Sequence, residues 1–360
     1  MPAPRRPLSD LSRLPASGAS LAEILPELGP HLDAVLGIDS YALHWYGAKA
    51  ELTAFHADAT WSAAAIDAYL ADYRGRQEQY RPVTQERLAS GEVFALSPGE
   101  LARRPVFHEV IAPLGLGSFL NLPFALGSKS LILTCARERS KATARGRFTT
   151  AEINRAGRIR EMLGPVFDAP PQPAELPPRS IAGGGALLLL NRAGELQYAC
   201  AEGQRFLAFL RADARWSQAS AMKSWLDALL LRHRGDGAVS SSWMQLTDGA
   251  YQIELRPMGA SGAGTQAIYA LHIRRAHTAA NRLLALARRH GLSPRELAVA
   301  QRLHRGEALR DIAAALRISE TTLKTQTRSL YGRIGVSDRH ELRRVIDSFG
   351  ANPLEEQAAP

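Results

Sequence analysis

The chain has 360 residues, 46% of them hydrophobic, which is enough for two or three domains with buried cores and excludes wholesale disorder. Its 44 Lys and Arg outnumber its 35 Asp and Glu, so the formal net charge is +9. Two cysteines, Cys135 and Cys200, cannot build a disulfide scaffold, and no apolar run approaches the ~20 residues that span a bilayer. We therefore expect a cytoplasmic protein without a signal peptide, membrane segment, metal or cofactor.

The first part of the chain has the pattern of one α+β domain. Residues 1–20 are rich in Pro, Ser and Arg and predict a flexible N-terminus. Leu21–Leu36 predicts a helix interrupted by its two prolines, and the capping box at Thr149–Glu152 opens a long helix. The strands, helices and further strands between them resemble a GAF-type sensor domain, which we assign to residues 21–168.

A proline-rich segment separates this domain from a second one. Residues 169–182 hold five prolines, which stiffen a linker and cannot enter the core of a sheet. Beyond them, Ala186–Leu190 and Glu195–Ala199 predict a hairpin, and two helices and three strands follow. This order of elements resembles a PAS domain over residues 183–275.

Positive charge is concentrated near the C-terminus. Residues 274–347 hold 16 Lys and Arg but seven Asp and Glu, and this excess of nine equals the net charge of the whole chain. Binding to a phosphate backbone requires such a basic module, although a basic excess also occurs on ordinary solvated helix faces. The charge therefore needs a motif beside it.

Four helices are predicted in this basic region. Ser293, Pro294 and Glu296 form a complete helix start, with a capping serine, a first-turn proline and a carboxylate that closes a capping box. Ser319 can cap the third helix and Ser337 the fourth. The predicted boundaries are a linker helix at 276–291, a four-helix domain at 292–347 and a flexible tail at 348–360.

The third predicted helix, Glu320–Ile334, has two different faces. One face is an apolar stripe with helical spacing, formed by Leu323, Thr327, Leu330 and Ile334. The residues beside this stripe carry no bulky apolar group. Lys324, Thr325 and Arg328 lie on that polar side. A short helix with one clamped apolar face and one free Lys/Thr/Arg face fits the major groove of B-DNA.

The motifs of this region resemble the LuxR/GerE-type helix-turn-helix family over about 55 residues. They include Leu292-Ser-Pro-Arg-Glu, Ile318-Ser-Glu-Thr-Thr-Leu-Lys-Thr and Leu330-Tyr-Gly-Arg-Ile-Gly-Val-Ser-Asp-Arg. The resemblance implies that the third helix enters the major groove, with Lys324, Thr325 and Arg328 at base edges. It implies phosphate contacts for Ser319, Thr321, Thr322, Ser329 and Arg333. Gln326, where the family often has His, could bond a base or a phosphate.

The same resemblance predicts how the protein assembles. The fourth helix is the family's dimer surface, which implies a homodimer through Leu342, Val345 and Ile346. Two recognition helices about one DNA turn apart would bind a roughly palindromic operator. RNA polymerase is a further possible partner.

About 275 residues precede the DNA-binding motif, and we expect them to control it. We expect a ligand in the GAF-like or the PAS-like module, and the first of these offers residues for an apolar pocket with Arg81 or His108 as its polar group. Its aromatic members are Trp45, Trp61, Tyr69, Tyr73, Phe94, Phe119 and Phe124. The line Trp61…Tyr69…Tyr73…Tyr80-Arg81-Pro82 loosely resembles acyl-homoserine-lactone receptors. Arg81, however, stands where they use an Asp, and a cation cannot accept that hydrogen bond.

The sequence thus predicts an α+β protein with GAF-like and PAS-like sensor modules followed by an all-α LuxR-type domain. No catalytic arrangement is visible, so we expect no enzyme. The leading hypothesis is a transcriptional regulator whose sensor modules bind a small-molecule effector. The alternative is a regulator gated by a protein partner, or by dimerisation through the PAS-like module, without a ligand. A third, weaker hypothesis is redox sensing through Cys200.

Overall fold

The computed structural model describes residues 11–17, 19–96, 98–101, 103, 105–127, 129–139, 147–168, 185–191, 193–216, 219–233, 240–258, 268–276 and 278–349. Contacts between residues divide the chain into two compact units. The sheet unit comprises residues 36–160 and 184–275, and the helical unit comprises residues 1–35, 161–183 and 276–360. Within the described ranges, every helix is too short or too polar to cross a membrane.

The described helices and strands follow one another in this order along the chain. The helices are α1 (Arg13–Ala16), α2 (Leu21–Leu36), α3 (Ala63–Gly75), α4 (Gln77–Ser90), α5 (Pro98–Leu101), α6 (Thr150–Asp168), α7 (Ala201–Ala212), α8 (Ala219–His233), α9 (Ala279–His290), α10 (Pro294–His304), α11 (Leu309–Ala315), α12 (Glu320–Ile334) and α13 (Arg339–Ser348). The strands are β1 (Ser40–Tyr46), β2 (Leu52–Ala57), β3 (Phe94–Leu96), β4 (Leu116–Leu126), β5 (Lys129–Glu138), β6 (Ala186–Leu190), β7 (Leu196–Ala199), β8 (Ser240–Leu246), β9 (Gly249–Met258) and β10 (Ile268–Arg275). A π-helical turn covers Phe107–Ile111.

The sheet unit contains two antiparallel sheets of five strands with the same strand order. The first sheet runs β2-β1-β5-β4-β3 and the second β7-β6-β10-β9-β8. In the first sheet, β1 is wholly buried and β5 is buried along most of its middle, which explains their high content of aliphatic and aromatic residues. The mixed helix-and-sheet class expected from the sequence is confirmed.

One helix connects the two sheets inside this unit. Helix α7 follows the second sheet's first hairpin and packs against α3 and β2 of the first sheet. Arg205 on α7 donates hydrogen bonds to backbone carbonyls of Asp58, at 2.8 Å, and Trp61. Ala208 and Ala212 belong to the same apolar cluster as Phe55 of the first sheet. The segments predicted as separate GAF-like and PAS-like domains therefore share one compact unit.

Two features of the N-terminal region differ from the sequence-based expectation. Helix α2 is continuous through Pro26 and Pro30, because buried leucines on the same helix stabilise it against the lost backbone donors. Residues 11–17, expected to be flexible, are packed: Leu11 and Leu14 are fully buried. Helix α1 contacts α10, and the side-chain amide of Gln301 donates to the Ser17 carbonyl. The burial of Leu11 and Leu14 was not predicted because the segment around them is rich in Pro, Ser and Arg.

A buried carboxylate links the two sheets of the sheet unit. Asp248, between β8 and β9, lies 3.0 Å from Nδ1 of His56 on β2 and accepts a 2.7 Å hydrogen bond from the Tyr251 hydroxyl. Burial opposes its ionisation, but His56 and the nearby Arg275 outweigh burial and lower the Asp248 pKa to about 2. Asp248 is therefore ionised at neutral pH, and its charge is paired within the unit.

We expect Asp248→Asn to reduce the free energy of unfolding of the sheet unit by about 2 kcal/mol at pH 7, because it leaves buried donors without a charged acceptor. The folded pKa lies below the ~3.9 of an unfolded Asp, so the stabilisation is complete above that pH and is lost as pH falls toward 2. Urea unfolding followed by tryptophan fluorescence measures it, since all five tryptophans lie in this unit.

Asp67→Asn is the matched control. Asp67 pairs with Arg211 at 2.6 Å, but its side chain is 43% exposed, so we expect a loss below about 1 kcal/mol. Equal stability of Asp248→Asn and the unsubstituted protein at pH 7 would contradict the role given to Asp248.

Candidate functional site

The helix starts of the DNA-binding motif are largely those predicted from the sequence. Ser293 Oγ accepts from the Glu296 amide at 3.2 Å, and Glu296 accepts in return from the Ser293 amide at 2.9 Å. Ser319 caps α12 by accepting from the Thr322 amide. The prediction for the fourth helix was wrong by one residue: Asp338, not Ser337, is its cap, because the Asp338 carboxylate accepts from the Glu341 amide at 2.8 Å.

The turn before α12 has an unusual backbone conformation. Arg317 adopts φ 53°, a left-handed conformation that is uncommon for residues other than glycine. The amide of Ile318 still donates to the Ala313 carbonyl at 3.0 Å, so the last turn of α11 is satisfied. This conformation turns the chain within the four residues 316–319, so that α12 can pack against α11.

The two faces of α12 are those that its spacing predicts. The apolar stripe is buried at 9% exposure or less in each of its four residues: Leu323, Thr327, Leu330 and Ile334. The stripe packs against α10 and α11. Lys324, Thr325 and Arg328 are exposed on the other side. In the part of the chain that the structure describes, neither Lys324 nor Arg328 forms an ion pair.

The remaining predicted DNA contacts differ in their surroundings. Ser319, Thr321, Thr322, Ser329 and Arg333 are exposed, whereas Gln326 is half-buried. Thr325 donates to the Thr321 carbonyl at 3.2 Å. The Oε1 atom of Gln326 is buried without a hydrogen-bond partner in the described ranges, so this side chain leans toward the protein.

Glu296 is a buried carboxylate that ties the recognition helix α12 to α10. Its side chain caps α10 through Ser293 and is 10% exposed. It also accepts from the Ser329 hydroxyl at 3.3 Å and pairs with Arg333 Nε at 3.3 Å. Arg333 donates in addition to the Gly291 carbonyl at 3.0 Å. Two residues predicted to contact phosphates thus hold α12 in place.

The predicted dimer residues lie mostly inside the protomer. Leu342 and Ile346 are fully buried, because α13 packs against α9 and α10, and Val345 is half-buried. Helix α9, which is the predicted linker helix, is amphipathic, and its buried Arg282 lies 3.5 Å from Asp347 on α13. In this arrangement Leu342 and Ile346 are covered by the chain's own helices rather than offered to a second copy.

A cavity of about 390 Å³ lies between one face of the first sheet and helices α3 and α4; we call this sheet with its helices, within residues 36–160, the first sheet module. Five of the predicted pocket residues line it: Trp61, Tyr69, Tyr73, Phe94 and Phe119. Trp45 does not, because side chains alternate along a strand and its neighbours His44 and Tyr46 face the cavity. Phe124 does not, because it lies on the opposite face of β4 from Phe119 and Asn121. Arg81 pairs with Glu78 at 2.7 Å, and His108 is exposed on the π-helical turn.

Sequence reasoning missed the polar lining of this cavity. His44 and Tyr46 on β1, Asn121 on β4 and Thr134 on β5 all face it. Strand alternation around Trp45 was the available signal for His44 and Tyr46. Asn121 and Thr134 stand opposite each other in the sheet register, which the sequence alone does not give.

We expect Glu296→Gln to loosen α12, because the amide cannot pair with Arg333 and loses one acceptor oxygen; the cost is about 1–2 kcal/mol. Hydrogen exchange of α10 and α12 amides, read by mass spectrometry on the full chain, measures it. The control is Glu341→Gln, whose carboxylate accepts from the Ser337 amide and hydroxyl in the same way but without contacting α12. Unchanged exchange in α12 of Glu296→Gln would contradict this role.

Comparison with known proteins gives one family match, over the DNA-binding motif. Residues 290–346 match the bacterial regulatory proteins of the luxR family, also called GerE. No curated protein matches the chain.

Three solved structures are similar at low identity. The Vibrio cholerae VqmA dimer without target DNA, described as a LuxR-type receptor, is 18% identical over 47% of this chain and 85% of its own, at a TM-score of 0.20. The phage VqmA–DPO complex is 17% identical over 48% and 87%, at 0.20. The E. coli DhaR(N)–DhaL complex is 14% identical over 75% and 88%, at 0.21. These scores are too low to transfer a ligand or partner. The family match and the helix geometry together identify residues 290–346 as a LuxR-type helix-turn-helix domain.

Proposed function

We propose that this chain is a DNA-binding transcriptional regulator that inserts α12 into the major groove. The observation that carries the proposal is the exposed Lys324 and Arg328 on α12 of the LuxR-type domain, without ion-pair partners in the described ranges. They are four residues apart and lie on one side of the helix. Two cations on the free face of a clamped helix can reach guanine O6 and N7 or the phosphates beside them.

The other predicted contacts take different parts in this proposal. Thr325 presents its methyl group to a base edge, and Ser319, Thr321 and Thr322 surround the N-terminus of α12, where a phosphate is favoured. Ser329 and Arg333 contact Glu296 and so help to orient the helix, and their predicted phosphate contacts remain part of the proposal. Gln326 is half-buried, so we place it on the protein side of the proposed DNA interface.

We expect Lys324→Ala and Arg328→Ala each to cost about 1–3 kcal/mol in affinity for a selected duplex. The control is Arg344→Ala, which removes the same charge from an exposed side chain on α13. Fluorescence anisotropy of a labelled duplex at several salt concentrations measures affinity and the number of phosphate contacts. Equal losses of affinity in all three variants would mean that Lys324 and Arg328 contribute only nonspecific positive charge.

Dimerisation on a roughly palindromic operator is part of the proposal. Since α9 and α10 both pack against α13, dimerisation through Leu342 and Ile346 would require these two helices to move away from α13, and the movement of α9 would break the 3.5 Å Arg282–Asp347 pair. Helix α9 follows β10 of the second sheet within three residues, so a change in the sheet unit can reach it along the chain.

The cavity of the first, GAF-like module is the proposed effector site. Its volume of about 390 Å³ lies in the range of small-molecule sites, and its walls combine aromatic rings with a few polar groups. Ligand binding there would shift the equilibrium of the chain only to the extent that the ligand prefers one state.

Native mass spectrometry of the purified full chain tests the effector site. A stoichiometric added mass that is released on unfolding supports it. A clean apo mass that no metabolite extract changes counts against it and favours the second candidate below.

The second candidate function is gating by protein association through the PAS-like module, residues 183–275. Large apolar side chains are exposed on the edge strands of its sheet: Leu196 at 48% and Tyr198 at 53% on β7, and Trp243 at 37% on β8. Exposed apolar groups on a sheet edge are typical of association surfaces.

We expect Tyr198→Ser to weaken association of the chain in light scattering after size exclusion if this candidate is right. The matched control is Tyr269→Ser on the central β10, which damages the sheet core without touching the edge. An unchanged molar mass across protein concentrations for Tyr198→Ser and the unsubstituted protein would exclude self-association through β7.

A further inference from the structure

We infer that the cavity of the first sheet module takes a small aromatic molecule that presents a hydrogen-bond acceptor, and that it rejects cations. The inference rests on the proposed effector site and adds the chemistry of its ligand. It follows from one unpartnered donor in the floor of the cavity, from the charges around it and from the shape of its walls.

The unpartnered donor is the side-chain amide of Asn121. This residue lies on β4, is 5% exposed and lines the cavity. Its Oδ1 accepts a 2.8 Å hydrogen bond from the Thr134 hydroxyl, and Thr134 Oγ1 lies 3.4 Å from His44 Nδ1. Its Nδ2 is buried and has no hydrogen-bond partner in the described ranges. A buried amide N–H without a partner costs about 1–3 kcal/mol, which an acceptor on a bound molecule would recover.

The sheet register places this donor in the centre of the floor. Ala42, Thr134, Asn121 and Phe94 form one row across β1, β5, β4 and β3. Thr134 holds the amide oxygen on one side, and Asn121 is two residues from Phe119 along β4, so its side chain lies on the same face of the sheet, which lines the cavity. A molecule lying on the floor therefore meets a donor, flanked by a methyl group and an aromatic ring.

The charges around the cavity disfavour a cation. Full burial lowers the pKa of His44 to about 4, so its imidazole is neutral at pH 7. Asp72 accepts from the Tyr80 hydroxyl at 2.8 Å and pairs with Arg76 at 3.2 Å, so its charge is already matched. Arg87 lies 4.6 Å from the ring centroid of Phe94. No ion-pair partner of Arg87 is found among the residues described, and its positive charge repels a cationic ligand.

The walls favour a flat ring. Tyr69 meets Trp61 edge-on, with ring centroids 5.6 Å apart at 85°, and meets His44 at 5.6 Å and 63°. Rings held at such angles leave faces and edges for one more aromatic ring. A cavity of about 150 Å³ holds benzene, so the volume of about 390 Å³ admits one or two rings with a substituent.

Four probes of one size separate these features: acetophenone with a neutral acceptor, benzoate with an anionic one, ethylbenzene with none and benzylammonium with a cation. Ligand-detected NMR titration on the full chain gives their dissociation constants. We expect acetophenone and benzoate to bind at least about tenfold more tightly than ethylbenzene, and benzylammonium to bind more weakly than ethylbenzene.

Two variants connect the preference to its residue. Asn121→Leu keeps the shape but removes the donor, so acetophenone and ethylbenzene should then bind equally. Thr134→Val keeps the donor but removes the hydroxyl that orients it, so the preference should fall without vanishing. Tryptophan fluorescence spectra identical to those of the unsubstituted protein establish that both variants are folded.

The outcomes separate this inference from the proposed effector site. Binding of all four probes without preference, or a preference that survives in Asn121→Leu, would overturn the ligand chemistry and leave the effector site standing. Binding of none of the four would overturn both.

Discussion

The geometry of the DNA-binding domain depends on one buried carboxylate. Glu296 caps α10, accepts from Ser329 and pairs with Arg333 of α12, so one side chain fixes the start of one helix and the position of another. A carboxylate is suited to this because it has several acceptor positions, and burial makes each contact costly to lose. Since α12 is held from its inner side, its outer side can consist of solvated cations. The clamped and the free face of α12 are two consequences of one arrangement.

Buried polar side chains also shape the sheet unit, where Asp248 and Asn121 differ in how completely they are paired. Asp248 is buried, and the polar groups around it are satisfied, which couples the two sheets through His56 and Tyr251. Asn121 lines the cavity and is buried, with its amide oxygen satisfied by Thr134 and its amide nitrogen without a partner among the described residues. Folding stability favours complete pairing of buried polar groups, so a half-paired one in a cavity marks a place where a bound molecule completes the network.

Features of the DNA-binding domain that depend on residues close together in the sequence were predicted well. Features that depend on contacts between distant residues were not. The Ser293–Glu296 capping box and the stripe from Leu323 to Ile334 depend on residues within one or a few helical turns, which the sequence displays directly. The role of Arg333 and the burial of Leu342 depend on contacts between helices distant in sequence. For the cavity, the sequence correctly predicted aromatic lining residues. On β1 it predicted Trp45, whereas His44 lines the cavity, because the sequence does not show which face of the strand points toward it. Leu11 and Leu14 are buried in a segment whose composition favours disorder, and composition alone did not predict their burial.

The central claim is that this chain reads DNA sequence through α12. Selection of binding duplexes from a randomised pool by the full chain tests it most directly. We expect enrichment of two inverted half-sites whose centres are about one helical turn apart, and no enrichment by the Lys324→Ala/Arg328→Ala double variant. Retention of the pool without any enriched sequence by the unsubstituted chain, or the same enrichment by the double variant, would contradict it.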